Sequence, residues 1–120
     1  TGMRLIVIAL SMALLLGCSY QPFQSDALLD KIEQQVTIPP YQSRDFTLAL
    51  GEYDRYYAYD NWGNVLGIYI ASGSETRSGS RKWVPLAELP IILDGGCGIV
   101  NIEFDLLSQK VVSTYCNGLA

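Results

Sequence analysis

The first seventeen residues limit what the rest of this 120-residue chain can fold into. Met3 and Arg4 form a short, positively charged start, and an apolar run occupies residues 5–16. Those twelve residues would make a helix about 18 Å long, short of the roughly 30 Å hydrocarbon core of a bilayer. The segment is therefore typical of a secretory signal rather than of a transmembrane helix. Its removal leaves 103 of the 120 residues, which suits one domain with a modest core.

Four residues close the apolar run: Leu15, Leu16, Gly17 and Cys18. Their order, behind a charged start and an apolar core, resembles a lipobox, the motif at which bacterial enzymes lipidate and cleave lipoprotein precursors. The resemblance covers residues 3–18 and identifies the chain as a bacterial lipoprotein. It implies that residues 1–17 are removed and that Cys18 becomes the lipid attachment site. The alternative is an ordinary secretory signal with an incidental cysteine, and Thr1 and Gly2 fit neither interpretation.

The lipoprotein resemblance also implies a location. A lipid on Cys18 would anchor the protein in the cell envelope, facing the periplasm, with residues 18–24 as a tether. An extended tether of this length reaches at most about 20 Å, so the domain is expected to lie close to its membrane. In lipoprotein sorting of the enterobacterial kind, Asp after the lipidated cysteine favours retention in the inner membrane. Ser19 stands there, so the outer membrane is expected.

The remaining cysteines and the lack of histidine limit the chemistry. With Cys18 lipidated, Cys97 and Cys116 form an even pair, and we expect them to close one disulfide in an oxidising periplasm. The chain has no histidine, which excludes Ser-His-Asp and Cys-His catalysis and His-ligated zinc sites. No metal and no cofactor are expected.

The charge balance argues against polyanionic partners. The chain has eight basic and twelve acidic residues, and loss of Arg4 with the leader leaves seven basic ones, a net charge of about −5. An acidic chain of this kind does not suggest nucleic-acid binding or a polybasic membrane patch. Membrane attachment is therefore expected through the lipid alone.

Hydrophobic periodicity predicts an α+β fold for residues 25–120, as a single domain. Ser25 is a good N-cap, apolar residues recur at helical spacing from Leu28 to Val36, and two prolines follow at 39–40. From Phe46 onward the residue pattern becomes typical of β-strands. It predicts strands at 46–50, 53–59, 65–71 and 81–84 and a helical turn at 85–89. We expect one N-terminal amphipathic helix packed on a small antiparallel sheet of about four to five strands.

The C-terminal hairpin is the best-defined predicted element. Val100, Ile102 and Phe104 alternate with less apolar residues, which places them on one face for the helix. Placing Cys97 opposite Cys116 also places Glu103 opposite Lys110, a favourable charge pair. The turn then falls on two leucines, which are poor turn residues, so a bulge or a longer loop through residues 106–109 is expected. The glycines around Cys97 are interpreted as a tight turn beside the disulfide.

Two segments are candidate binding sites. The first is an aromatic strip of Tyr53, Tyr57, Tyr59 and Trp62, which offers a large contact area to a partner protein. Its alternative interpretation is ordinary half-buried sheet tyrosines. The second is the loop at residues 72–82, whose basic residues Arg77, Arg81 and Lys82 suit an acidic group. Its alternative is a solvated hairpin loop.

Three functions follow from these observations. The leading hypothesis is a lipid-anchored envelope protein that binds another envelope protein as an accessory or assembly factor, without catalysis. Ser72-Gly73 followed by Trp83 resembles a segment of the periplasmic lysozyme inhibitors, so an inhibitor of a cell-wall hydrolase is the first alternative. A carboxylate-based hydrolase is the second alternative. Its candidate acids are Glu52, Asp54, Asp60, Glu103 and Asp105.

Overall fold

A computed structural model describes residues 23–40, 48–71 and 79–118. The described residues form one α-helix and a five-stranded sheet in the order β3-β1-β2-β4-β5. The α+β class and the number of strands are thus confirmed, while the leader, Cys18 and the start of the tether lie outside the described residues. The elements are α1 (Asp26–Gln35), β1 (Tyr53–Tyr59), β2 (Asn64–Ala71), β3 (Arg81–Trp83), β4 (Ile99–Asp105) and β5 (Lys110–Cys116).

Helix α1 precedes every strand but does not stand at the N-terminus of the chain. Ser25 caps it as predicted, because its side-chain oxygen accepts a hydrogen bond from the backbone N–H of Leu28 at 3.1 Å. The helix ends at Gln35, before the two prolines. Leu29 and Ile32 are fully buried against the sheet. In the described part of the chain, no helix has the length and apolar character that crossing a membrane requires.

The sheet is mixed, so the expectation of an antiparallel sheet is wrong at one edge. Strands β1, β2, β4 and β5 pair antiparallel, but β3 pairs parallel with β1. The last residue of β2, Ala71, lies opposite the first residue of β1, Tyr53. Strand β3 also starts near this end of the sheet, on the other side of β1, and it therefore runs parallel to β1. The strand predicted at 46–50 is also wrong in its described part, since Leu50 begins a 3₁₀ turn (Leu50–Glu52) that leads into β1.

Helix α1 covers one face of the sheet, called the inner face here. The buried side chains of this face come from β1, β2 and β4 and pack with the helix. They are Tyr53, Tyr57, Val65, Tyr69, Val100, Ile102 and Phe104, with Leu29 and Ile32 from α1. The opposite, outer face is crossed by residues 84–95, which connect β3 at one edge to β4. Asn117 holds this connection, because its side-chain nitrogen donates to the carbonyl oxygens of Ile92 at 2.6 Å and Asp94 at 3.0 Å.

The C-terminal hairpin carries the disulfide between Cys97 and Cys116, whose Cα atoms lie 4.6 Å apart. The predicted register is wrong, however. Val100, not Cys97, lies opposite Cys116, and Lys110 lies opposite Asp105 rather than Glu103. Cys97 stands before β4 in a 3₁₀ turn (Gly96–Gly98), entered through the positive φ of 106° at Gly95. The expected irregularity is confirmed, since the register shifts between Glu103 and Phe104 and residues 106–109 form the loop.

Candidate functional site

The aromatic strip does not form a surface. Tyr53 and Tyr57 have no exposed side-chain area, because their face of β1 is the inner face under helix α1. Tyr59 is half-buried and stacks on Trp83 with 4.9 Å between ring centroids. These tyrosines are therefore structural, and the prediction that they form a contact strip is wrong. Trp62 alone stands in solvent, with 88% of its surface exposed in the turn between β1 and β2.

Burial of the tyrosines creates a polar cluster beneath the helix, centred on Glu33. One carboxylate oxygen of Glu33 accepts from Arg55 at 2.5 Å, and the other accepts from Tyr57 at 2.7 Å and Arg81 at 3.2 Å. Tyr57 thereby uses its only proton, so Tyr69 is the donor in the 2.7 Å bond between the two hydroxyls. Asp30 accepts a hydrogen bond from the other terminal nitrogen of Arg81 at 2.7 Å. The cluster thus contains two cations, Arg55 and Arg81, and two anions, Glu33 and Asp30.

The pKa values of the Glu33 cluster agree with a structural role. Burial raises the pKa of Tyr57 and of Tyr69 far above the usual tyrosine range, so both stay protonated. Partial burial opposes the charge on Arg81, but the hydrogen bonds that Arg81 donates to Asp30 and Glu33 outweigh it and raise the pKa of Arg81. The cluster fastens the helix to β1 and β3.

The Glu33 cluster also removes one residue from the basic candidate site. Arg81 is held between Asp30 and Glu33, so it is not available to a partner as the loop interpretation requires. Lys82 is exposed and lies over the ring of Tyr56, 5.2 Å from its centroid. Arg77 lies outside the described residues.

Most of the candidate catalytic carboxylates accept hydrogen bonds from backbone N–H groups. Glu52, Asp54, Asp60 and Asp105 each accept a hydrogen bond from a backbone N–H in their own turn or in a neighbouring segment. In Asp105, the bonds from Ser108 lower the pKa of the carboxyl. Within the described ranges, no three His, Cys, Asp or Glu side chains form a group that could hold a metal ion. Glu103, by contrast, lines a cleft.

That cleft is a small groove on the outer face, with a volume of about 150 Å³. Leu66 and Ile68 of β2 form part of its floor, and Leu89 and Pro90 of the 84–95 connection cover one side. Drug-sized ligands occupy pockets of about 300 Å³ or more, so this groove suits one side chain of a partner better than a free small molecule. We call it the outer groove. Its remaining side-chain wall consists of Asn101, Glu103 and Tyr115.

Glu103 gives the outer groove its chemical character. The side chain is half-buried, and its one hydrogen bond in the described part of the chain comes from the amide of Asn64 at 3.4 Å. Lys110, which the sequence placed opposite Glu103, lies opposite Asp105, two residues further along β4. Among the residues lining the groove there is one acid and no base. Among the described residues, the groove therefore presents a carboxylate without an ion-pair partner, beside both apolar and polar side chains.

Sequence reasoning missed the outer groove, although part of its signal was present. The alternation of Leu66, Ile68 and Ile70 indicates a second apolar side of β2, opposite the tyrosines. What covers that side depends on the path of residues 84–95, which no local pattern specifies. Comparison with protein-family models, with curated protein sequences and with solved structures finds no match for this chain.

Proposed function

We propose that this chain is a lipid-anchored protein of the bacterial cell envelope that binds another protein through the outer groove. The observation that carries the binding proposal is the carboxylate of Glu103, which forms no ion pair with any described residue and lines the groove beside Leu66 and Ile68. A half-buried charge of this kind is stabilised when a partner supplies the opposite charge. The lipobox supports the anchoring.

The chemistry of the groove indicates what the partner presents. Tyr115 stands on the edge strand β5 with 58% of its surface exposed, and tyrosine is a frequent centre of binding energy in interfaces. Beyond the groove, Ile91 and Leu93 of the connection are 88% and 89% exposed. We expect a polypeptide segment that places an apolar side chain in the groove and a Lys or Arg against Glu103.

Strand β5 supplies a matched test of this proposal. A photo-crosslinking residue replaces Tyr115 in one variant and Val112 in another, and both proteins are irradiated in intact envelopes. Val112 is also 58% exposed and lies on β5, but it does not line the groove. The proposal expects a discrete crosslinked partner from position 115 and a clear loss of that band from position 112.

The charge requirement is tested on the captured partner. Glu103→Gln keeps the shape of the side chain and removes its charge, so crosslinking from position 115 should fall and lose its dependence on salt. Glu88→Gln, on an exposed 3₁₀ turn outside the groove, serves as the control. Equal crosslinking from positions 115 and 112, or an unchanged yield with Glu103→Gln, would contradict groove-mediated binding.

A further inference from the structure

The two connecting turns of the antiparallel strands lie at one end of the sheet. The β1–β2 turn (residues 60–63) and the β4–β5 turn (residues 106–109) both follow strands that run in the same direction. Two strand spacings separate the turns, which places them about 10 Å apart. We call this the turn end of the sheet.

The turn end presents apolar side chains where turns ordinarily present polar ones. Trp62 is 88% exposed in the first turn, and Leu107 is 95% exposed in the second. Both turns are held firmly. Asp60 accepts the backbone N–H groups of Trp62 and Asn64 at 2.8 and 2.9 Å, and Asp105 accepts that of Ser108 at 2.9 Å. These bonds define the backbone of the turns that carry Trp62 and Leu107.

Phe23 brings the chain toward Cys18 to the same end. Tyr59 is the last residue of β1, and its hydroxyl donates a hydrogen bond to the carbonyl oxygen of Phe23. The side chain of Phe23 is 79% exposed. Cys18 stands five residues before Phe23, a span of at most about 17 Å when extended. A lipid on Cys18 therefore holds the turn end within that distance of the bilayer.

We infer that the turn end docks on the lipid surface, with Phe23, Trp62 and Leu107 in the interfacial layer of the membrane. The inference rests on the lipid anchor of the proposed function. Aromatic side chains with a polar edge, such as tryptophan, favour the boundary between headgroups and acyl chains. Exposed apolar side chains alone do not identify the turn end as the membrane-facing one, because Ile91 and Leu93 near the opposite end of the sheet are equally exposed. The turn end is chosen because the chain that leads to Cys18 leaves the domain there.

The charge at the turn end indicates the kind of surface. Of the described residues, Asp60 and Asp105 are the acidic ones in or beside its turns, and Lys110 is exposed at the start of β5. This balance offers no attraction to anionic headgroups, so docking depends on apolar contact. Zwitterionic phosphatidylcholine vesicles are therefore the appropriate probe.

Tryptophan fluorescence distinguishes the two ends of the molecule. The acylated full chain carrying Trp83→Phe, which leaves Trp62 as the single tryptophan, is reconstituted into phosphatidylcholine vesicles. Brominated phosphatidylcholine should quench Trp62, and aqueous iodide should quench it weakly. The matched control carries Trp62→Phe, Trp83→Phe and Leu93→Trp. Leu93 is 89% exposed beyond the far end of the sheet, so the pattern at position 93 should be reversed.

A second variant tests whether the three side chains act together. Phe23→Ser with Leu107→Ser alters only exposed positions, so the fold should survive, as circular dichroism checks. Bromolipid quenching of Trp62 should then fall, although the acyl chains still hold the protein on the vesicle.

Each other outcome overturns the docking. If mass spectrometry finds no acyl group on Cys18, the anchor of the proposed function fails and the inference fails with it. If Cys18 is acylated but iodide quenches Trp62 as strongly as position 93, the inference alone fails. Shielding that appears only in native envelopes assigns the turn end to a protein, and shielding that grows with protein density assigns it to a second copy.

Discussion

Glu33 is the residue on which the attachment of helix to sheet depends most. Its carboxylate is 11% exposed and faces Arg55 and Arg81, which are 12% and 24% exposed. Glu33→Gln leaves two cations with Asp30 as their remaining anion. Breaking a buried pair costs about 3–5 kcal/mol, and because this pair is only partly buried we expect a loss of about 3 kcal/mol. Urea denaturation should show that loss in the free energy of unfolding. Glu88→Gln, on an exposed turn, should change it by less than about 0.5 kcal/mol.

Alkaline pH should unfold this protein through Tyr57 and Tyr69. Burial raises both pKa values, so above pH 10 or so the unfolded chain releases these protons while the folded chain keeps them. Stability is thus complete below that pH, and each tyrosine removes about 1.4 kcal/mol per pH unit above it. Tyr57→Phe should reduce the slope of stability against pH in urea titrations from pH 10 upward. Tyr115→Phe, which removes an exposed phenol, should leave that slope unchanged.

Single residues were the least predictable part of the candidate site. The sequence places Tyr53, Tyr57 and Tyr59 on one face of β1, and this is correct. Period-two alternation does not say which face the helix covers. The charged Arg55 shares that face and suggests exposure to solvent, but Glu33, twenty-two residues away in the helix, forms an ion pair with it. Long-range compensation of this kind is invisible to a local pattern.

At the scale of elements, Gln35 joins the end of helix α1 to the edge of the sheet. Its side-chain nitrogen donates to the carbonyl of Gln109 at 3.1 Å, and its side-chain oxygen accepts from the N–H of Val111 at 2.9 Å. A carboxamide that pairs in this way occupies part of an edge strand, where another strand would otherwise pair. Gln35→Ala should lower the free energy of unfolding by about 1–2 kcal/mol and raise the tendency to aggregate. Gln34→Ala, an exposed neighbour, should do neither.

The disulfide stabilises the C-terminal hairpin by closing a loop of nineteen residues' separation. Chain-entropy estimates for such a loop give about 3 kcal/mol. The double variant Cys97→Ser with Cys116→Ser should lose stability of this order in urea denaturation. The single variant Tyr53→Phe, which removes the hydroxyl donor to the Cys97 carbonyl at 2.9 Å, should lose only about 1 kcal/mol. If both variants lost the same free energy of unfolding, the 3₁₀ turn at Cys97, rather than the disulfide, would be what stabilises this end of the hairpin.

Elements were predicted better than their pairing. The helix, the strands at 53–59 and 65–71, the helical turn near 86 and the hairpin all follow from capping and alternation. The parallel partner of β1 was missed, because Arg81–Trp83 is too short to reveal its neighbour. The hairpin register was missed because charge pairing and an opposed cysteine pair favoured the same wrong alignment, whereas Cys97 lies in the 3₁₀ turn before β4 rather than in the strand. The bulge between Glu103 and Phe104 adds a shift of one residue.

For the whole molecule, the outer groove and the turn end divide the surface between two tasks. The groove opens on the outer face, and the chain toward Cys18 leaves at the turn end beside the inner face. An anchored protein would thus hold its turns against the membrane with the groove on its flank. A partner would then reach the groove along the membrane surface or from the periplasmic side.

Anchorage itself is expected to depend on Cys18 alone. If the leader is cleaved as proposed, seven basic residues oppose twelve acidic ones, so no net positive charge would attract the chain to an anionic membrane in place of a lost lipid. The three apolar side chains at the turn end are too few to hold it there unaided. Cys18→Ala should therefore abolish labelling by an alkyne fatty acid and release the protein from the membrane fraction or stall its precursor. Cys97→Ser with Cys116→Ser should keep the label, and persistent labelling of Cys18→Ala would contradict the lipoprotein assignment.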